Sequence, residues 1–125
     1  MIESARLTAF VASTDLDRSA AFYVDTLGLT ARDRSPFAVV LDGRGATLRV
    51  TAVAEKAAAD YTVLGWDVDD LDAAVDELRG RGITFTRYDG MDQDEHDAWT
   101  APSGTRVAWF RDPDANTLSL QQHPG

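Results

Sequence analysis

The sequence predicts an α+β fold of two βαβββ modules, and three observations carry that prediction. Asp15-Leu16-Asp17 returns 55 positions later as Asp70-Leu71-Asp72, each copy closing a strand-like run and opening a helix-like one. Asp42-Gly43-Arg44-Gly45-Ala46-Thr47-Leu48 is answered at a spacing of 70 by Asp112-Pro113-Asp114-Ala115-Asn116-Thr117-Leu118. Between these landmarks the apolar period alternates between strand and helix values in the same order in both halves. The repeat shows which positions are to be compared.

In module one, Arg6 to Ser13 alternates, with Leu7, Ala9 and Val11 on one face and Thr8, Phe10 and Ala12 on the other. That is a strand with one apolar face. Thr14 or Asp15 can cap a helix whose Leu16, Ala20, Tyr23 and Leu27 recur at helical spacing, and Gly28 ends it. Leu29 to Arg34 is a short strand. Phe37 to Leu41 and Thr47 to Val53 form a hairpin around the turn at residues 43–45.

Module two repeats the order. Tyr61 to Val68 is a strand; Leu71, Val75 and Leu78 mark a helix ended by Gly82. Ile83 to Tyr88, Thr105 to Phe110 and Thr117 to Gln121 are the remaining strands. The spacing grows from 55 to 70, so 15 residues are inserted before the third strand, across Asp89 to Gly104. Loops that lengthen one copy of a repeat often carry function. A length of 125 residues fits one domain, 1–125, with module one at 1–53, an alanine-rich linker at 54–60 and module two at 61–125.

Composition narrows the class. The chain is 44% hydrophobic and 26% charged, as a globular protein is, and no apolar stretch reaches the roughly 20 residues that span a bilayer. No basic segment leads into an apolar core at the start, so no signal peptide is expected, and a cytoplasmic location follows. Cysteine is absent, which removes disulfides, thiolate catalysis and thiolate-held metals. A net charge of −9 argues against a nucleic-acid partner and suits cationic small molecules. Of 12 basic residues only Lys56 is a lysine.

Three passages now point to a family: Asp15-Leu16-Asp17-Arg18-Ser19 through Phe22-Tyr23 to Leu27-Gly28-Leu29; Val68-Asp69-Asp70-Leu71-Asp72 through Gly82; and Trp109-Phe110-Arg111-Asp112-Pro113-Asp114-Ala115-Asn116. Over nearly its whole length the chain resembles the vicinal oxygen chelate superfamily. That superfamily includes glyoxalase I, extradiol dioxygenases, fosfomycin-resistance enzymes and bleomycin-resistance proteins. The motifs are turns and caps, so they specify fold better than reaction. The resemblance implies the glyoxalase/bleomycin resistance fold, an open cup-shaped mixed sheet with the helices outside. It also implies metal ligands on the first and fourth strands of each module in metal-dependent members.

Carried onto this chain, those four positions are Thr8, Arg49, Val63 and Ser119. Valine has no donor atom, the two hydroxyls are neutral, and an arginine would set positive charge beside a metal. Zinc, nickel or iron sites need imidazole or carboxylate at several such places. The chain has two histidines, His96 and His123, and neither lies on a ligand strand. No metal and no other cofactor is therefore expected.

Strand parity then gives the pocket lining. Leu7, Ala9, Val11, Leu48, Val50, Leu64, Trp66, Val68, Leu118 and Leu120 pack under the helices. Thr8, Phe10, Thr47, Arg49, Thr51, Tyr61, Val63, Gly65, Asp67, Thr117, Ser119 and Gln121 face the other way. The ligand-binding candidates are Thr8, Phe10, Arg49, Val63, Trp99, Trp109, Ser119 and Gln121. Arg49 can grip a carboxylate, phosphate or enolate oxygen, or else pair with Asp67, which shares its parity. The repeat sets Trp109 against Val39, a structural position whose ring can still stack on a ligand. Trp99 is either a lid or part of a buried loop. His96, among Asp92, Asp94, Glu95 and Asp97, reads as part of a solvated acidic loop, and His123 as a bystander near the C-terminus.

The leading functional reading is a metal-independent binder of a small organic molecule, a drug-sequestering or resistance-type protein closest in character to the bleomycin-resistance-like members. The resemblance implies a homodimer, and the charge and the lack of an apolar span speak against nucleic acid and membrane as partners. The alternative is a glyoxalase-like lyase or isomerase without the usual metal ligands. In it Arg49 stabilises an oxyanion and His96 or Asp67 moves a proton. A third reading is a structural or regulatory domain whose pocket is filled by its own side chains.

Overall fold

The first strand, β1 (Leu7–Ser13), alternates as its sequence requires: Val11 and Ser13 are buried, Thr8 and Phe10 exposed. The Asp15 carboxylate then accepts the Arg18 N–H at 3.1 Å, which satisfies a backbone donor at the start of α1 (Leu16–Ala20). The expected single helix through Leu27 is not uniform. After Ala20 it widens into a π-helical turn, Ala21–Thr26, which leaves Tyr23 fully buried. Gly28 takes a φ of 83°, and the Leu29 N–H closes the helix on the Tyr23 carbonyl.

β2 (Thr30–Arg34), β3 (Ala38–Gly43) and β4 (Ala46–Ala52) complete the first sheet, in the order β1-β4-β3-β2. β1 and β4 run parallel, and the other two pairs are antiparallel. The helix lies across β4 and β3. That explains why Leu7, on the apolar parity of the edge strand, remains 70% exposed.

The second half repeats this plan. β5 (Thr62–Asp67) leads to α2 (Leu71–Gly80), capped by the Asp70 carboxylate on the Ala73 N–H at 3.1 Å. β7 (Arg106–Arg111) and β8 (Thr117–Gln122) follow, with β6 (Trp99–Thr100) at the edge, in the order β5-β8-β7-β6. Leu71, Val75, Phe85, Ala108, Phe110, Leu118 and Leu120 are buried on the α2 side, and Trp66 stacks on Phe110 at 6.5 Å. The computed structural model describes all 125 residues. They divide into two compact units, Met1–Ala58 with Pro113–Asn116, and Ala59–Asp112 with Thr117–Gly125. No helix is long and apolar enough to cross a membrane.

Two expectations are corrected. Ile83 to Tyr88 is not a strand and touches the ladder at one bridge, Thr86 to Trp109. The cause is the buried side chain of Gln93. Its Oε1 accepts the Tyr88 N–H at 2.7 Å, and its Nε2 donates to the Thr86 and Asp97 carbonyls, each at 2.9 Å. One amide thus takes the bonds a neighbouring strand would make, and the edge position passes to β6 inside the insertion.

The second correction concerns register. Val40 pairs with Arg49, and Trp109 pairs with Ser119. Trp109 therefore corresponds to Val40 and not to Val39, because the second hairpin turn is one residue longer. A one-residue slip moves a side chain to the other face. Trp109 stands away from the helix.

Candidate functional site

On the first sheet, the face opposite α1 carries Thr8, Phe10, Val40, Thr47, Arg49 and Thr51, set side by side by the β1–β4 and β3–β4 registers. Phe10 is 63% exposed. Thr47 accepts a bond from Arg32 at 3.1 Å, and Arg32 pairs with Asp42 at 3.2 Å. Arg49 differs from these neighbours. It is half-buried and makes no hydrogen bond or ion pair. Two residues along the same strand, the Thr51 hydroxyl is buried without a hydrogen-bond partner. Buried polar groups are nearly always satisfied, so this strand presents an unmatched cation and an unmatched hydroxyl on one face.

On the second sheet, the corresponding face holds its polar groups in a closed chain. Ser119 Oγ donates to Gln121 Oε1 at 2.7 Å, and Gln121 Nε2 donates to Asp67 Oδ1 at 2.8 Å. His123 Nε2 reaches the same carboxylate at 3.1 Å, and His123 Nδ1 lies 3.1 Å from the Thr105 hydroxyl. A carboxylate only accepts, so Nε2 carries the proton toward Asp67 and Nδ1 accepts from Thr105 in the neutral ring. The Gln121 amide and the His123 ring hold the Asp67 carboxyl below its ordinary range. Gly65 makes room for this arrangement: a Cβ there would sit 2.5 Å from Ser119 Oγ. Val63 falls at a β-bulge and is half-buried.

Beside this chain the same face is aromatic. Trp109 donates from Nε1 to Thr62 Oγ1 at 3.1 Å, meets Tyr88 edge-on at 5.4 Å, and lies 6.2 Å from Trp99. Trp99 reaches it because β6 pairs Trp99 with Val107. A recess of about 200 Å³ opens here, lined by Asp60, Tyr61, Thr62, Tyr88, Met91, Trp109 and Thr117. A wider depression of about 540 Å³ beside the start of α1 contains none of the candidate residues, and an Arg34–Asp17 ion pair stands on its wall.

Asp67 and His96 are not brought together. His96 stands against α2, with Nδ1 3.3 Å from Asp72 and Nε2 3.3 Å from Asp76, on the side of the sheet away from Asp67. Nor is its loop a solvated acidic segment. Asp97, 13% exposed, binds Arg79 and Arg87 at 2.6 Å each. Burial pushes its carboxyl up, yet those two guanidinium groups outweigh it and set the net value below the ordinary range. Asp94 behaves alike: burial raises it, and the Ala98 N–H, Arg106 and the His96 N–H together outweigh that and leave it below the ordinary range.

A divalent metal does not fit the residues present. Thr8 is exposed, Val63 has no donor, Ser119 is spent on Gln121, and Arg49 is cationic. Nowhere do three His, Cys, Asp or Glu side chains converge as a metal would need.

The sequence places Tyr61, Thr117 and Trp109 of this recess on the lining or among the candidates, but it leaves out Asp60, Tyr88 and Met91 and treats His123 as a bystander. A signal for His123 existed, since residues 119, 121 and 123 share one strand parity. Tyr88 and Met91 had none, because their placement depends on the irregular path of residues 83–91.

The family model of the Glyoxalase/Bleomycin resistance protein/Dioxygenase superfamily matches residues 6–120. The chain belongs to that superfamily. Among solved structures it is similar to a glyoxalase/bleomycin resistance protein/dioxygenase from Alicyclobacillus acidocaldarius, with 21% identity, a TM-score of 0.77, and coverage of 98% of this chain and 93% of that one. A superfamily member from Sphaerobacter thermophilus DSM 20745 gives 24%, 0.77, 98% and 100% for the same measures. Lactoylglutathione lyase from Agrobacterium tumefaciens gives 23%, 0.70, 95% and 93%. At such identities the likeness is one of fold. No curated protein matches the chain.

Proposed function

We propose that this chain is a metal-independent member of the superfamily that binds a small organic molecule, in the manner of a sequestering or resistance-type protein. The observation that carries the reading is Arg49, a half-buried guanidinium without a protein partner beside the unsatisfied Thr51 hydroxyl. A planar fork left open in this way suits a carboxylate, phosphate or enolate oxygen, which it can grip with two parallel bonds. Asp67 does not supply that partner, being engaged by Gln121 and His123. The donor set described above supports metal independence. The exposed Leu7 and Phe10 on edge strand β1 support a homodimer.

Calorimetric titration with a panel of small organic acids and aromatic cations, with elemental analysis of the purified protein, tests the reading. A ligand bound by the wild type and lost in Arg49→Ala is the expected result. Stoichiometric zinc, nickel or iron, or turnover that tracks added metal, would sink metal independence. Light scattering that gives a monomer mass would sink the dimer.

A further inference from the structure

The recess beside Trp109 has a chemistry of its own. Three aromatic rings line it, from Tyr61, Tyr88 and Trp109, together with the thioether of Met91 and the carboxylate of Asp60. The tryptophan cannot turn freely, because its indole N–H is bonded to Thr62 and its ring is braced by Tyr88 and Trp99. Tyr88 is itself placed by the Gln93 amide at its backbone N–H. Tyr61 is 73% exposed and forms a side of the recess without contributing to a core.

Fixed ring faces attract a cation through their quadrupoles, most strongly for tryptophan, and soft apolar walls suit methyl groups on nitrogen better than a hydrated ammonium. At about 200 Å³ the recess is smaller than the roughly 300–1,000 Å³ of pockets that enclose a drug-sized ligand, so it takes a head group. Asp60 supplies the negative charge. Its protein partner, Arg111, stands 3.4 Å away, and both side chains are exposed, so the pair is weak and yields to a ligand. The net charge of −9 draws cations toward the molecule.

We infer that the Tyr61–Tyr88–Trp109–Asp60 recess is a site for a methylated ammonium head group of an organic molecule. The inference rests on the reading of the chain as a small-molecule binder and names the chemical class it takes on the second sheet.

The test uses choline chloride and its neutral isostere 3,3-dimethylbutan-1-ol at matched ionic strength, titrated into the full chain by calorimetry. Choline binds about tenfold tighter than the alcohol. Asp60→Asn cuts that preference severalfold, and so does Tyr61→Leu, a change at an exposed ring that leaves the fold intact. Equal affinity for the two probes, no binding of choline, or choline binding unchanged in both variants overturns the inference. The general reading fails by a different result, when no member of the Arg49 panel binds.

Discussion

The two halves share strand order, helix placement and cap chemistry, yet their open faces are finished in opposite ways. Where the first sheet sets Phe10 beside Arg49, the second sets Gly65 beside Ser119. In the first half a bulky ring is exposed and the cation next to it is left unmatched. In the second, the missing side chain lets Ser119, Gln121, Asp67 and His123 close on one another, and the aromatic mass moves to Trp109, Tyr88 and Trp99. The outer edges differ too: β2 is a five-residue strand with one bulge between Ala31 and Asp33, while its counterpart is a bridge and a two-residue strand held by Gln93. A duplicated scaffold thus keeps its backbone while each copy is free to spend its polar groups inwardly or outwardly.

The sharpest way to break this comparison is Arg49→Ala. If the first face is outward-looking, affinity for an oxyanion ligand falls about 100-fold, near 3 kcal/mol, while the urea midpoint moves little because no hydrogen bond or ion pair is lost. Arg49→Lys restores part of the affinity, since charge remains and the fork does not.

Next in size is the clamp on the insertion. Asp97→Asn costs about 1–2 kcal/mol by urea denaturation, discounted because Arg79 and Arg87 are partly solvated. The pH dependence has a definite sign. Asp94 and Asp97 titrate below the ordinary aspartate value of 3.8 in the fold, so their stabilisation is complete above that value and is lost as pH falls through the lower folded values. Protection from backbone hydrogen exchange across Asp94 to Ala98, measured against the intrinsic rate at each pH, therefore falls in acid while that of β3 and β4 holds.

Gly65→Ala makes the second face more like the first. The new methyl group displaces Ser119 and breaks its bond to Gln121, for a loss of about 1 kcal/mol seen as a lower urea midpoint. Full retention of stability would show that the polar chain contributes little. The smallest effect concerns the two hairpin turns. Gly45 and Ala115 occupy the same repeat position with φ of 79° and 59°, so Ala115 holds a left-handed conformation without glycine's freedom. Ala115→Gly raises the thermal midpoint slightly, by an amount equivalent to about 0.5 kcal/mol after glycine's entropy cost is subtracted.

Much of this was legible in the residues. The Asp15 and Asp70 caps, the Gly28 and Gly82 stops and the alternation of β1, β4 and β8 are local properties, set by backbone sterics and the pleat. What escaped was decided by distant partners. Ile83 to Tyr88 has a strand's composition, but a buried glutamine ten residues from its start satisfies its backbone instead. Trp109 was placed one residue out because motif spacing counts residues and register counts hydrogen bonds, and the longer turn separates the two. The unpartnered state of Arg49 was open, because parity shows which residues share a face and not which of them touch.

The turn Pro113–Asn116 belongs by its contacts to the first unit. Asp114, with its side chain 2% exposed, accepts from the Thr14 backbone and hydroxyl, each at 2.9 Å, and from Arg18 and Ser19 at 3.1 Å. Asn116 donates to the Ala12 carbonyl at 3.0 Å. These partners lie about a hundred residues apart, so the entrance to α1 cannot be finished while its own half is leaving the ribosome. The first unit is complete only when residues 113–116 have joined it, so its closure rests on contacts of high sequence separation, the kind that slows folding.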